Sequence, residues 1–428
     1  MNIRKFDNIG ETLYTDTLDN GLRVLYVRKP DFRMSYAVIA VKYGGAYRRF
    51  LVGDKWHDTT AGVAHFLEHK LFDMPDGSDA LTALSENGAS PNAFTSCGMT
   101  AYHFDCTESF EKNLKTLAGF VTTPYFTPDS VAKEQGIIAQ EIGMFDDRPP
   151  FVVYNRLIRM LYAKHPIRDQ VAGTVSSIAE ITDKTLYDCY NAFYRPSNMV
   201  LCAAGSIEPE RFFFLAHELL NSLPDGEIPQ PDFGETGVSA PLETYHEERM
   251  ELSAPQFLIG CALDFPLSGK ALQRRKIVGM LALRTLFGTS GDFYNRLYGE
   301  GLLNRDYDYE IDCTAGTATF MLGGESPDPK RVLKELCDAL SEVKVKRLSP
   351  DAFERAKKAS FGARLRGLED FDNLCIALTE SALSDYCSLD SFSLLSEITV
   401  GECEEFLIQN IDPDRLALSV LLPNEVTK

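Results

Sequence analysis

The sequence predicts an α+β fold in two homologous domains, and three observations carry that prediction. The chain has 428 residues, more than one compact core usually serves. Landmarks of the first half return in the same order in the second half at a nearly constant offset, the mark of two related domains rather than a solenoid. Segments alternating with the strand period are interleaved with segments of helical period in both halves.

The repeat is legible in three places. Thr127-Pro128-Asp129 is echoed by Ser349-Pro350-Asp351, Glu180-Ile181-Thr182 by Glu397-Ile398-Thr399, and Pro196 before an apolar run by Pro413 before another. Between the halves lies Asn221–Tyr245, where Pro224, Gly226, Pro229 and Pro231 discourage a helix or a central strand. This gives a first domain over 1–222, a linker over 223–245 and a second domain over 246–428.

Within the first half, Asn20-Gly21 is a hairpin-type turn before the alternating run Leu22–Val27. Strands are also expected over Ala101–Phe104 and Met199–Ala204. Helices are expected over Gly62–Phe72, Phe110–Val121, Ser130–Phe145 and Leu186–Phe193. Thr127 reads as the cap of the third of these and Pro128 as its first residue.

The most informative pentapeptide is His65-Phe66-Leu67-Glu68-His69. On a helix, positions i, i+3 and i+4 share one face. Two neutral imidazoles and a carboxylate on one face suit a catalytic Zn²⁺ with a base beside it. A third protein ligand is needed, and Glu134 and Glu141, two turns apart on the helix that follows Thr127, are the candidates. Ile137 and Ile138 between them are expected to supply apolar contact.

Together these features are similar to the pitrilysin/insulinase family of zinc peptidases, which includes mitochondrial processing peptidase. The resemblance spans nearly the whole chain. It implies two α+β rolls arranged as a clamshell around a chamber, with one Zn²⁺ per chain held by His65, His69 and Glu141. It implies Glu68 as general base and Glu134 as the residue that steadies the site. Asn92 and Ala93, in Asn87–Ser96, match the family's strand that pairs with substrate backbone. At the repeat offset, Glu134 and Glu141 fall on Ala356 and Ala363, so the second domain is expected to be chemically empty.

One departure from the family pattern is expected to matter. Where the family carries an arginine and a tyrosine in its second domain, this chain has Tyr298 and then Leu303 or Asn304, with Arg305 and Tyr309 close by. A missing oxyanion donor slows turnover. The reading is therefore a zinc endopeptidase for short or unfolded peptides, paired with a homologous partner chain as a heterodimer, or with its own copy as a homodimer. The rivals are a non-catalytic scaffold subunit and a maturation peptidase for one precursor.

Composition narrows the setting. A formal charge of −19 argues against nucleic acid as a partner. No run approaches a membrane span and no secretory leader pattern opens the chain. Ten cysteines without a C-x-x-C pair suit a reducing cytoplasm, and Cys97, Cys106, Cys189 and Cys202 read as core residues. Trp56, the single tryptophan, is expected in the core.

Overall fold

The computed structural model describes residues 1–234, 240–265 and 268–425. They form two compact units. In chain order the strands are β1 (Asn2–Phe6), β2 (Glu11–Thr17), β3 (Arg23–Arg28), β4 (Ser35–Val41), β5 (Arg49–Val52), β6 (Lys55–Asp58), β7 (Ala89–Thr95), β8 (Thr100–Cys106) and β9 (Met199–Gly205). Then follow β10 (Gln230–Pro231), β11 (Tyr245–Met250), β12 (Gln256–Ala262), β13 (Asp308–Thr314), β14 (Thr317–Glu325) and β15 (Ala417–Pro423).

The first unit holds a seven-stranded sheet, β1-β2-β3-β9-β4-β8-β7, and the second a five-stranded sheet, β11-β15-β12-β14-β13. The duplication is exact in topology from the third strand onward. β3 runs parallel to β9 as β11 does to β15, and the remaining neighbours are antiparallel in both sheets. The first sheet adds the β1-β2 hairpin at one edge, and the Asn20-Gly21 turn, where Gly21 takes φ 86°, joins β2 to β3. β4 and β9 are buried along their whole length, as central strands covered on both faces must be.

Local signals recur with the topology. Thr127 Oγ1 accepts from the Ser130 N–H at 3.2 Å, and Ser349 Oγ accepts from the Ala352 N–H at 3.3 Å. These caps open the helices Pro128–Asp146 and Pro350–Gly367. Thr182 and Thr399 likewise cap Asp183–Phe193 and Val400–Asn410. Short 3₁₀ turns at Pro196–Asn198 and Pro413–Arg415 lead into β9 and β15.

The compact units do not follow chain order. The first comprises Met1–Ile142, Asp169–Phe233 and Leu365–Leu389; the second comprises Gly143–Arg168, Gly234–Arg364 and Asp390–Lys428. The exchanged segments are equivalent. Helix Pro149–Leu161 packs on β12 and β15, and its counterpart Phe371–Leu383 packs on β9 and β4. Tyr36 Oη anchors the latter by donating to Asp372 Oδ1 at 2.7 Å, and Tyr162 Oη meets Thr319 Oγ1 at 2.7 Å beside the former. Within the stretch read as a linker, β10 pairs with β5, and residues 235–239 lie outside the described residues.

Two expectations about single residues need correction. Trp56 is 45% exposed, because Phe50 and His57, on the opposite face of the β5-β6 hairpin, take the buried side and stack on one another. The Arg49 guanidinium lies over the Trp56 ring. Ile137 is 46% exposed, while Val131, Ile138 and Ile142 form the buried stripe of their helix. Cys106, Cys189 and Cys202 are buried as expected, and Cys97 is half-buried. Among the described residues, no helix is long and apolar enough to cross a membrane.

Candidate metal centre

The pentapeptide falls on helix Val63–Lys70, which is buried at every position but His69. Its entry is tight. Gly62 takes φ 99°, and a Cβ there would stand 2.7 Å from the Ala172 carbonyl oxygen. Only glycine meets both conditions without strain.

Helical spacing then turns His65 and His69 toward the helix Pro128–Asp146. Glu141 Oε2 lies 3.6 Å from His65 Nε2 and 3.4 Å from His69 Nε2. It makes no hydrogen bond and is shielded from solvent. A carboxylate oxygen left so is costly unless a cation sits beside it. Donor atoms around a tetrahedral ion with bonds of about 2.0–2.1 Å stand roughly 3.3–3.4 Å apart. His65, His69 and Glu141 also form the one His/Cys/Asp/Glu group of three or more among the described residues with metal-holding spacing. The donor set therefore fits a small divalent ion of the zinc type.

Surrounding side chains orient these groups. His69 Nδ1 meets Glu134 Oε1 at 3.0 Å, leaving Nε2 to face Glu141. Lys70 is buried at 2% exposure; its ammonium pairs with Asp73 and lies 3.9 Å from Glu134 Oε2. Glu68 accepts a hydrogen bond of 2.5 Å from Thr95 Oγ1, at the end of β7. Thr95 Oγ1 is 3.3 Å from Thr100 Oγ1, which donates to the Tyr43 carbonyl.

Electrostatics follow burial and pairing. Burial, helped by the neighbouring His69 charge, pulls His65 down to about 3, so its ring is neutral at neutral pH. Burial works on His69 in the same direction, but the Glu134 hydrogen bond and the carboxylates of Glu68, Glu141 and Glu134 outweigh it and raise its pKa. Burial lifts Glu68 above the usual carboxylate range against the opposing Thr95 bond. Glu134 is held low despite burial, by the His69 hydrogen bond and the charges of His69 and Lys70.

All five residues read as ligands, base or support thus come together. Asn92 and Ala93 lie on β7, the edge strand of the first sheet, whose Thr95 bonds Glu68. The Ala93 N–H donates to Asn92 Oδ1 at 2.9 Å, so a donor of this edge strand is satisfied by a neighbouring side chain. Thr95 and Lys70 were not singled out from sequence. Thr95 follows the Asn-Ala pair by only two residues, and its strand parity was the available signal. Lysine type pointed the wrong way for Lys70, since lysines are almost never fully buried.

In the second unit, Tyr298 is exposed and stacks on Tyr294, Leu303 is buried, and Asn304 donates to Glu325. Ala356, the counterpart of Glu134, is core.

Comparison with known proteins agrees with this division. Residues 23–175 match the insulinase family, peptidase family M16, and residues 180–360 match the M16 inactive domain. The chain is 34% identical over 425 residues to the uncharacterized zinc protease YmfH of Bacillus subtilis, covering 98% of each. It is 23% identical over 424 residues to YmxG of the same organism, also named an uncharacterized zinc protease, covering 95% of this chain and 98% of the relative. An M16-like peptidase from Alicyclobacillus acidocaldarius shares the fold with a TM-score of 0.92 at 30% identity, covering 97% of this chain and 99% of that one. Pitrilysin matches in fold with a TM-score of 0.81 at 16% identity, over 99% of this chain and 46% of its own. The chain belongs to the insulinase family of peptidases, M16.

Proposed function

We propose that this chain is a zinc-dependent endopeptidase acting on short or unfolded peptides, with one Zn²⁺ held by His65, His69 and Glu141. The observation that carries the reading is the unpartnered, buried Glu141 oxygen facing two imidazole nitrogens, beside a carboxylate fixed by Thr95. The zinc protease names of full-length relatives support it.

Zn²⁺ in this donor set supplies Lewis-acid polarisation of a peptide carbonyl. Glu68 takes a proton from the attacking water as the new C–O bond forms, and delivers it to the amide nitrogen as the C–N bond breaks. Burial that raises its pKa suits a group that must both accept and release a proton. Glu134 fixes the ring orientation of His69 through Nδ1. An extended peptide adds to the β7 edge near Asn92 and Ala93, displacing the Asn92 side chain from the Ala93 N–H. Backbone pairing of this kind tolerates many sequences.

The arginine and tyrosine absent at Tyr298 and Leu303/Asn304 come, on this reading, from a homologous partner chain in a heterodimer. The test is hydrolysis of a mixed quenched-fluorescent peptide pool by the zinc-loaded chain alone, beside Glu68→Gln. Turnover lost in the variant supports the peptidase and removes the need for a partner. Zinc retained without turnover supports the partnered form. A chain that binds no zinc ends the proposal.

A further inference from the structure

Three strand ends of the first sheet meet at one corner. Ser35 opens β4 and pairs with Cys106, the last residue of β8. β9 ends beside them at Gly205, where a Cβ would stand 2.4 Å from Ser35 Oγ. From β8 the chain passes through residues 107–109 into the helix Phe110–Val121. That helix starts over a cleft of about 470 Å³, lined by Ser35, Cys106, Ser206 and the helix's own first turn. None of these residues belongs to the metal group.

The cleft holds donors that the fold leaves unused. Ser109, the residue before the helix, makes no side-chain cap, so the first-turn N–H groups point out of the helix without an acceptor from it. Asn113, one turn in, is fully buried, yet neither Nδ2 nor Oδ1 has a hydrogen-bond partner. Its amide stands beside the Cys106 thiol that lines the cleft. Ser35 is 7% exposed, and its hydroxyl makes no hydrogen bond among the described residues. Buried polar groups are costly to leave idle, and a bound ion is one thing that satisfies them. Arg33 and Lys112 bring two cations to the cleft, and neither forms an ion pair among the described residues. Of the acids there, Glu111 is held by Arg211 Nε at 2.8 Å, and Glu108 is exposed, where water and salt screen it. The helix N-terminus itself favours negative charge. We infer that this cleft is an oxyanion site that takes the phosphoryl group of a small phosphate. A phosphoryl group offers three or four oxygens where a carboxylate offers two, and the donors here stand on several sides: the helix turn, Ser35 at the strand end and the Arg33 guanidinium. The cleft is larger than the ion and falls within the size range of small-molecule sites, so an ester substituent has room. The inference does not depend on the peptidase reading.

The experiment titrates the full zinc-loaded chain with inorganic phosphate and, separately, with phenyl phosphate, by isothermal calorimetry. Saturable binding of at least one probe is expected. Its affinity should fall by about 10-fold in Arg33→Gln, which removes a charged donor, and by several-fold in Ser35→Ala. Arg33 is exposed, so the first variant keeps its fold, checked by an unchanged thermal midpoint and zinc content without phosphate. Tighter binding of phenyl phosphate supports a phosphate ester as the ligand; binding of inorganic phosphate alone supports the free ion. No saturable binding of either probe overturns the inference. Affinity unchanged in both variants overturns it too, because it places the ion at the zinc or elsewhere on the chain.

Discussion

The helices Pro128–Asp146 and Pro350–Gly367 occupy equivalent places in the two halves and are built alike until the chemistry begins. Each opens on a capping hydroxyl, then proline, then aspartate. Each buries a short apolar stripe, Val131, Ile138 and Ile142 in one, Phe353 and Ala356 in the other. At the metal group they part: Glu134 and Glu141 correspond in sequence to Ala356 and Ala363. The edge strands part in a similar way. β7 ends on Thr95, bonded to Glu68, whereas β13 carries Asp308, Glu310 and Asp312 on one face. What the halves share is what folding needs; what only the first holds is a set of buried charges that folding alone would not select. The second unit is thus an internal control for the first.

The sharpest way to break the contrast is Glu68→Gln. It makes the first unit as unreactive as the second while leaving His65, His69 and Glu141 in place. Peptide hydrolysis is expected to fall by about 10²–10⁴-fold, with zinc content by atomic absorption unchanged. Lys70→Met comes next. It removes a buried cation and leaves Glu134 and Asp73 without it, at an expected loss of about 3–4 kcal/mol in stability, read by urea denaturation of the metal-free protein. A loss under about 1 kcal/mol would place Lys70 among ordinary surface pairs.

How much of this could be seen in the sequence depended on the range of the interaction. The caps at Thr127 and Ser349, the Asn20-Gly21 turn and the one-faced His65, Glu68 and His69 are local, set by spacing along a few residues. Glu134 and Glu141 were found as a pair because two turns of helix preserve a face, and the family resemblance implied which of them is the ligand. Thr95 was not, because its contact with Glu68 depends on how β7 lies against another element. Trp56 and Ile137 were misplaced for the same reason: hydrophobicity says that a side chain prefers burial, while strand parity and helical angle decide whether it gets it. The exchange of Pro149–Leu161 and Phe371–Leu383 was equally hidden, since an amphipathic stripe does not name the sheet that covers it.

The second unit has a buried histidine of its own to test. His165 is fully buried, with Nδ1 accepting from the Ile167 N–H and Nε2 donating to the Ala315 carbonyl. Protonating Nδ1 would set two donors face to face. Burial, only partly offset by the Ala315 bond, lowers its pKa to about 4. The unfolded chain takes the proton first, so this contribution is complete above the unfolded value of roughly 6.5. It is lost as pH falls from there toward the folded value, amounting to about 3 kcal/mol in all. Denaturation of the metal-free protein between pH 7.5 and 4.5 should show the loss, and His165→Gln should flatten it. An unchanged slope in the variant would assign the acid sensitivity elsewhere.

The smallest effect separates the halves most cleanly. Thr127→Ala and Ser349→Ala each remove one capping hydroxyl from equivalent helices, and each should cost about 1 kcal/mol. The stability changes should match, because the caps serve the same purpose in both units. Zinc affinity should not. Thr127 stands two turns before Glu134 and opens the helix that carries both carboxylates, so fraying there loosens the hold of Glu134 on His69. A rise in zinc dissociation rate of several-fold is expected for Thr127→Ala, with none for Ser349→Ala, measured with a chromogenic chelator. Equal rates in the two variants would mean that the metal group is held by helix Val63–Lys70 and by packing at Ile138 and Ile142, and that the cap contributes to folding alone.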